Sequence, residues 1–397
     1  MPVFQSMPPP LMTSEPGSFA RYTIVERKPQ IIQQVLNDNA YEPDIVSALQ
    51  AFEDEIVHHS IHPLHESAKD TEFWNTALSA YAGKTWLEVP WYFAETYFYR
   101  RLLEAVRYFQ PGVWQGRDPF GEQKRKQMEA DIKRLAPEWD RFFTQEPGAR
   151  FEWLLHSSLW GNRTDLSHFS LKAEVDTRLD TLTHRHLILI NHTAQVYEYL
   201  AAGVRRVDFV SDNAGREFFF DLALADFLLQ EGWARQVLMH LKNQPFFVSD
   251  AMPDDFHLSI ALLKAAPAVK MRELGSRLED ALAAQRLKAT SDPFLTTCLM
   301  YRQMPANLKR QLAQADLVLL KGDVNYRRLL DDAHWPFTTR MENVIGYFPA
   351  PCAVLRTLKG EVMVGLQPGQ ADAIAAEDPQ WLTNGKRGVI QLIPKSA

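Results

Sequence analysis

Asp212 and Asn213 are neighbouring oxygen-bearing side chains set between two apolar segments. Val207-Asp208-Phe209-Val210 precedes them, and Phe218 to Leu229 follows after Ala214-Gly215-Arg216-Glu217. An apolar run of strand length, then Asp-Asn, then an amphipathic helix places a carboxylate and a carboxamide oxygen at the carboxyl end of a strand. Open α/β sheets bind ligands there, and two hard oxygens suit a hard divalent cation. A third oxygen ligand, Asp250, stands in Val248-Ser249-Asp250-Ala251, a few residues beyond Leu238 to Leu241. Two basic motifs complete the set. Lys321-Gly322-Asp323-Val324-Asn325-Tyr326-Arg327-Arg328 follows Leu317 to Leu320, and Arg356-Thr357-Leu358-Lys359 follows Ala353 to Leu355. If the strands are parallel, all of these sites converge on one edge. Asp212, Asn213 and Asp250 then offer three ligands to Mg²⁺ or Mn²⁺, with positions left open for water and a phosphate oxygen. Arg356 and Lys359 supply positive charge for a phosphoryl group. A turn at Gly322 lets backbone N–H groups approach an anion. Asp323 and Asn325 can hydrogen-bond sugar hydroxyls.

The elements that must hold these residues follow from the hydrophobic pattern. His186 to Ile190, Val207 to Val210, Gln236 to Met239, Leu317 to Leu320 and Ala353 to Leu355 are strand-sized apolar runs. Helical spacing lies among them at Glu217 to Glu231, Asp254 to Ala265 and Ser276 to Leu287. That alternation predicts a mostly parallel, Rossmann-like sheet with helices on both faces, an α/β fold. Before about residue 170 the texture is aromatic and helical. Pro90 to Leu102 is one long amphipathic segment with Pro at its start, and Glu122 to Ala136 and Asp140 to Thr144 also read as helices. The expected organisation is a flexible arm over 1–16, an α-helical domain over 17–170 and an α/β metal- and phosphate-binding domain over 171–397.

Composition narrows the function classes. The chain has 397 residues, 46% hydrophobic and 23% charged, with a formal charge of −6. That charge leaves no electrostatic footprint for nucleic acid or an anionic membrane. Its two cysteines, Cys298 and Cys352, make neither a disulfide framework nor a thiolate zinc site. No apolar stretch approaches the roughly 20 residues of a membrane span, and Met1 to Pro16 lacks the basic start of a secretory signal. A cytoplasmic monomer acting on a small molecule is expected.

The motifs together resemble the metal-dependent damage-control phosphatases, a family first catalogued as a domain of unknown function. The resemblance is to the acidic-residue-methyltransferase-like sugar-phosphate phosphatase subfamily. It is carried by D-N-A-G-R-E at Asp212 to Glu217, V-S-D at Val248 to Asp250, K-G-D-x-N-Y-R-R at Lys321 to Arg328 and R-T-x-K at Arg356 to Lys359. Gly17-Ser18-Phe19-Ala20, Trp91 to Leu102, Asp118-Pro119-Phe120 and Leu159 to Ser167 extend it over nearly the whole chain. Val324 stands where the family usually has Leu. The resemblance implies a helical domain on a Rossmann-like domain, and a divalent cation, Mn or Mg with Co or Ni active in vitro, at Asp212, Asn213 and Asp250. It also implies substrate contacts at Asp212, Asn213, Asp323, Val324, Asn325, Tyr326, Arg327 and Lys359, and hydrolysis of sugar phosphates such as fructose 1-phosphate. Carboxyl methylation with S-adenosylmethionine is a disputed second activity of similar proteins, in which Glu217 would matter.

Each of these residues also has a plainer reading. Asp212 and Asp250 could cap the helices that follow them. Arg327 and Arg328 read by themselves as a solvated helical pair, and Lys321 as a strand-end surface charge. Glu217, one turn beyond Asn213, either faces the cation or pairs with a basic neighbour. Glu95 and Arg100 read as buried ion-pair members, the aromatics from Trp86 to Tyr99 as core, and His192 as structural. Two rival functions stay open. A methyltransferase would need a cofactor pocket, and no glycine-rich G-x-G turn lies near Ile190 or Val210. A non-catalytic sugar-phosphate sensor could lose a metal ligand, whereas all three are present. For a phosphatase, Asp212 is either a nucleophile or a holder of metal-activated water. Ala214, two residues on, offers no acid/base group to a nucleophile at Asp212.

Overall fold

The computed structural model describes residues 7–142, 145–161 and 181–394. The first part contributes α1 (Phe19–Tyr22), α2 (Lys28–Asp38), α3 (Pro43–His58), α4 (Thr71–Ser79), α5 (Trp91–Ala105), α6 (Gly121–Phe142) and α7 (Pro147–Gly161). Then strands and helices alternate. The order is β1 (Ile188–Asn191), α8 (Thr193–Ala201), β2 (Val204–Val210), α9 (Arg216–Gln230), β3 (Ala234–Leu241), α10 (Pro253–Lys264), α11 (Val269–Ala283) and β4 (Leu287–Ser291). It continues with α12 (Ala306–Leu312), β5 (Leu317–Lys321), α13 (Gly322–Leu329), α14 (Met341–Ile345), β6 (Cys352–Thr357), α15 (Gln370–Glu377) and β7 (Gly388–Ile393).

The strands form one sheet in the order β1-β7-β6-β5-β2-β3-β4. Every neighbouring pair is parallel except β6 and β7. After β2 the chain winds outward through β3 and β4. It then crosses back to lay β5 on the other side of β2. The switch point therefore lies between β2 and β5, which pair in register from Val207↔Leu317 to Val210↔Leu320. Ligands of open α/β sheets collect in the crevice at such a point.

Both faces of the sheet are covered, so its central strands are apolar on both sides. Leu317 and Leu319 join one buried cluster with residues of α6, α7, α9, α10 and α11. Val318 and Leu320 join the other with residues of α2, α3 and α5. The period of two along β5 thus assigns alternate side chains to opposite layers. The helices before residue 162 therefore supply part of both layers. The aromatics expected in the core are there: Trp86, Trp91, Tyr92, Tyr97, Phe98 and Tyr99 are all buried.

Several expectations need correction. The described part of the 1–16 arm is tied down. Leu11 and Thr13 are buried, Leu11 donates to Asp332 O at 2.9 Å, and Thr13 donates to Val89 O at 3.1 Å. β4 and β7 were not legible: in β4 only Leu287 is buried, and a polar KATS sequence follows it, while β7 carries Gln391 amid its apolar run. α6 runs unbroken through Pro137, where two helices were expected. α11 ends at Ala283, and Leu287 opens β4 instead of closing that helix. Asn162 to Ser167, which helped carry the family resemblance, lie outside the described residues. Among the described residues no helix is long and apolar enough to cross a membrane.

His156 on α7 is fully buried and meets Thr193 Oγ1 at 2.9 Å. Burial, aided by the charge of Arg185, pulls its pKa down to about 4. The unfolded imidazole protonates near pH 6.5, about its unperturbed value. Between those values the unfolded chain binds more protons here, so stability falls as pH falls. His156→Gln should shrink the stability difference between about pH 7 and about pH 4.5 by about 2 kcal/mol in urea titrations. An unchanged pH dependence would contradict a neutral buried His156.

Candidate functional site

The two segments proposed to hold a cation lie side by side. Asn213 and Asp250 form an isolated antiparallel bridge. Ala214 N donates to Ser249 O at 2.7 Å, and Ala251 N donates to Asp212 O at 2.8 Å. Neither acid is a helix cap. Gly215 occupies the N-cap of α9, and Met252 that of α10. Asp212, Asn213 and Asp250 are 5%, 4% and 2% exposed, so their polar atoms need partners within the fold. Asn213 Nδ2 donates to Asp212 Oδ2 at 2.8 Å and to Glu217 Oε2 at 3.0 Å, and its Oδ1 accepts from Ser249 Oγ at 2.6 Å. Lys242 Nζ lies 3.2 Å from Asp250 Oδ2.

The loop that delivers Asp250 is strained. Phe247 and Val248 have φ of 48° and 67°, a left-handed conformation that costs a non-glycine residue about 1–3 kcal/mol. Ser249 N donates back to Phe247 O at 2.7 Å, closing a γ-turn of the rare positive-φ form.

Glu217 takes the second of its expected roles, pairing with a base, and it also holds Asn213. Its Oε1 accepts from Lys321 Nζ at 2.8 Å. Lys321 is fully buried, which overturns its reading as a surface charge. It also lies 3.2 Å from Asp221 Oδ1 and donates to Ser158 O at 2.8 Å. Burial alone would lower the Lys321 pKa, but Asp221 and Glu217 together raise it. Burial pushes the Asp221 carboxyl up, against the pull of Lys321. α7 reaches this cluster closely because Gly161 has no side chain: a Cβ there would lie 2.6 Å from Glu217 Cα.

β5 ends beside Asp212. Gly322 has φ +84°, and a Cβ on it would lie 1.9 Å from Asp212 Oδ2. Glycine is therefore required twice over, by the backbone and by the carboxylate. Asp323 Oδ1 then accepts from Arg356 Nε at 2.7 Å and from the main-chain N–H of Lys359 at 3.2 Å. Arg356 also donates to Val362 O and, at 2.9 Å, to Gly360 O, and it lies over the Tyr326 ring. It shapes the Lys359 loop around Asp323.

The rest of the 321–328 segment divides. Asn325 accepts from Tyr301 Oη at 2.8 Å and donates to Lys321 O at 2.8 Å. Tyr326 Oη accepts from Val364 N at 3.1 Å. Both are fully buried, and these polar atoms are engaged inside the fold. Val324 is half-buried against the core. Arg327 and Arg328 are buried too, which overturns the solvated pair. Arg328 donates to Leu299 O at 2.7 Å and to Phe294 O at 2.6 Å. Arg327 gives Nε to Asp332 Oδ1 at 2.5 Å and stacks 3.4 Å from the Trp91 ring centroid, while its buried Nη1 and Nη2 have no hydrogen-bond partner. Its Nη1 and Asp323 Oδ2 both border Gly360, 2.6 and 3.1 Å from where a Cβ would stand.

Outside the site, Lys28 forms a buried ion pair with Glu95, and Arg100 pairs with Glu66 and Asp70, as expected of structural charges. His192 Nδ1 accepts from Leu392 N at 3.1 Å, also as expected. The motif reading missed Lys242, Ser249, Asp221 and Lys124. Lys242 directly follows β3, so the strand-end rule could have found it. Lys124 lies far away in sequence and gave no signal. Among the described residues no three His, Cys, Asp or Glu side chains gather as a metal cluster. The candidate donors are instead two carboxylates and a carboxamide. Gly322→Ala should cost at least about 1–3 kcal/mol by chemical denaturation, from the left-handed backbone alone. Wild-type stability in that variant would contradict both the backbone requirement and the close approach of Asp212.

Comparison with known proteins adds to this geometry. The family model of the damage-control phosphatase ARMT1-like domain matches residues 23–374. The chain is 33% identical over 439 residues to damage-control phosphatase ARMT1 of Danio rerio, covering 97% of each protein. It is 33% identical over 431 residues to damage-control phosphatase ARMT1 of Mus musculus, covering 96% of this chain and 97% of that one. Among solved structures, a DUF89 family protein from Pyrococcus horikoshii is similar at 14% identity and a TM-score of 0.49, over 94% of this chain and 98% of that one.

Proposed function

The chain belongs to the damage-control phosphatase ARMT1-like domain family, and from that premise we propose that it is a metal-dependent hydrolase of small sugar phosphates. The observation that carries this reading is the bridge between Asn213 and Asp250 beside the Gly322 turn, at the switch point of the sheet. Asp212, Asn213 and Asp250 would hold the divalent cation. Their donors are all oxygen, which suits Mg²⁺ or Mn²⁺. Asn213 Oδ1 already accepts from Ser249 and keeps a second lone pair. When bound, the cation supplies Lewis-acid charge to a phosphoryl oxygen and to the attacking water.

The chain's own residues do the remaining work. Glu217 and Lys321 fix the Asn213 carboxamide. Asn213 Nδ2 donates to Asp212 Oδ2, which fixes that carboxylate beside the carboxamide. Lys359 and the two unpartnered nitrogens of Arg327 offer positive charge to the phosphoryl oxygens. Asp323, fixed by Arg356, reads a sugar hydroxyl. Fructose 1-phosphate is the representative substrate to which the family resemblance points, and clearance of such reactive sugar phosphates is the role proposed.

Phosphate release from a panel of sugar phosphates should require Mg²⁺, Mn²⁺ or Co²⁺ and vanish with EDTA. Full activity in EDTA would defeat metal dependence. Asp250→Asn should nearly abolish turnover, and Lys359→Ala should lower kcat/KM about a hundredfold. Asp323→Ala should lose far more rate on a hexose phosphate than on p-nitrophenyl phosphate, which has no hydroxyls to read. Equal losses on both would remove Asp323 from sugar recognition.

A further inference from the structure

Asp118-Pro119-Phe120 has no part in the chemistry above, yet it reaches the candidate metal site through a single ammonium. Lys124, on the first turn of α6, is buried. Its Nζ lies 2.7 Å from Asp118 Oδ2, 2.6 Å from Asp255 Oδ2 and 3.4 Å from the main-chain oxygen of Asp250. An ammonium has three N–H donors, and here each has an oxygen. One belongs to the helical segment, one to α10 just after the Asp250 loop, and one to Asp250 itself. Asp255 Oδ2 also accepts from Met252 N at 2.9 Å, so the far end of the loop hangs on the same carboxylate. Asp118 is braced in turn: its Oδ1 accepts from Phe120 N at 2.9 Å.

We propose that Asp118 and Lys124 form a latch by which the helical segment sets the position of Asp250. The reason is the backbone of the loop. Phe247 and Val248 lie in the left-handed region, which neither residue type favours, so the conformation must be held by contacts from outside. Tyr99 packs on Phe246 and Phe247 with ring centroids 5.9 and 5.1 Å apart, and Phe120 stands 6.3 Å from Tyr99. Lys124 supplies the polar half of the same grip. It touches the Asp250 carbonyl, and the carboxylate has its own partner in Lys242. Lys124 is therefore a positioning residue. The latch rests on the proposed metal role of Asp250, and residues that support a ligand commonly change metal affinity by about 10–100-fold.

The test is Mn²⁺ titration by calorimetry together with hydrogen exchange of the 246–252 segment, on the full chain. Lys124→Met should weaken Mn²⁺ binding about tenfold or more and speed exchange at Ala251 N–H, which is bonded to Asp212 O. Asp118→Asn should do both to a smaller degree, which keeps the test available if Lys124→Met folds poorly. Adding Val248→Gly removes one of the two left-handed backbone penalties that the latch opposes, leaving that of Phe247. Lys124→Met/Val248→Gly should then recover part of the lost affinity, a rescue that a merely structural lysine would not show. Wild-type affinity and exchange in Lys124→Met, or in Asp118→Asn where the former does not fold, would overturn the latch. Failure of the glycine rescue would overturn it too. A wild-type chain that binds no Mn²⁺ would instead sink the metal reading, and exchange would still decide whether Lys124 holds the loop.

Discussion

Buried negative charge is the constraint on which the site depends. Asp212, Glu217, Asp221, Asp250 and Asp323 all lie buried at or beside the carboxyl edge of one sheet. A carboxylate out of water is tolerated only with hydrogen bonds or a cation to compensate. Lys321 answers Glu217 and Asp221, Lys242 answers Asp250, and Arg356 answers Asp323. These bases are buried in their turn, so they are fixed in place as well as charged. Removing one member of such a pair leaves the other buried and alone, which costs more than the pair itself contributes.

The backbone makes this crowding achievable. β2 and β5 end side by side at the switch point, and Asp212 fits there because residue 322 has no Cβ. On the covering layer, α7 approaches α9 at Glu217 because residue 161 has none either. Ser158 of the same helix accepts from Lys321. Helices distant in sequence thus complete the shell of charges around the Asp212 turn.

Some departures from local preference lie at or near this edge. Phe247 and Val248 adopt left-handed backbone just before Asp250. Arg327 keeps two buried nitrogens without partners. Asp332, which pairs with Arg327, also has positive φ. Sequences normally satisfy each local rule, and sites of function are where they fail to. Strain here is sustained by the surrounding packing, such as the Tyr99, Phe246 and Phe247 rings.

Much of the fold was legible in the sequence, because strand ends and helix starts are local signals. Apolar runs ending in Asp212-Asn213, Lys321-Gly322-Asp323 and Arg356-Thr357 announced a mostly parallel sheet and its candidate edge, and the residue types carried the proposal of oxygen and phosphate chemistry. β4 and β7 escaped because one is polar and the other is interrupted by Gln391, so neither carries a clean period. Tertiary structure alone decided how the charged residues are used. Sequence spacing cannot distinguish a solvated arginine from one stacked under Trp91, nor a surface lysine from one held between Glu217 and Asp221. It also could not show that Asn325 and Tyr326 face inward while Asp323 stays at the Lys359 loop. Those outcomes depend on which distant elements pack against a residue, and burial sets both the cost of a charge and the partner it must find.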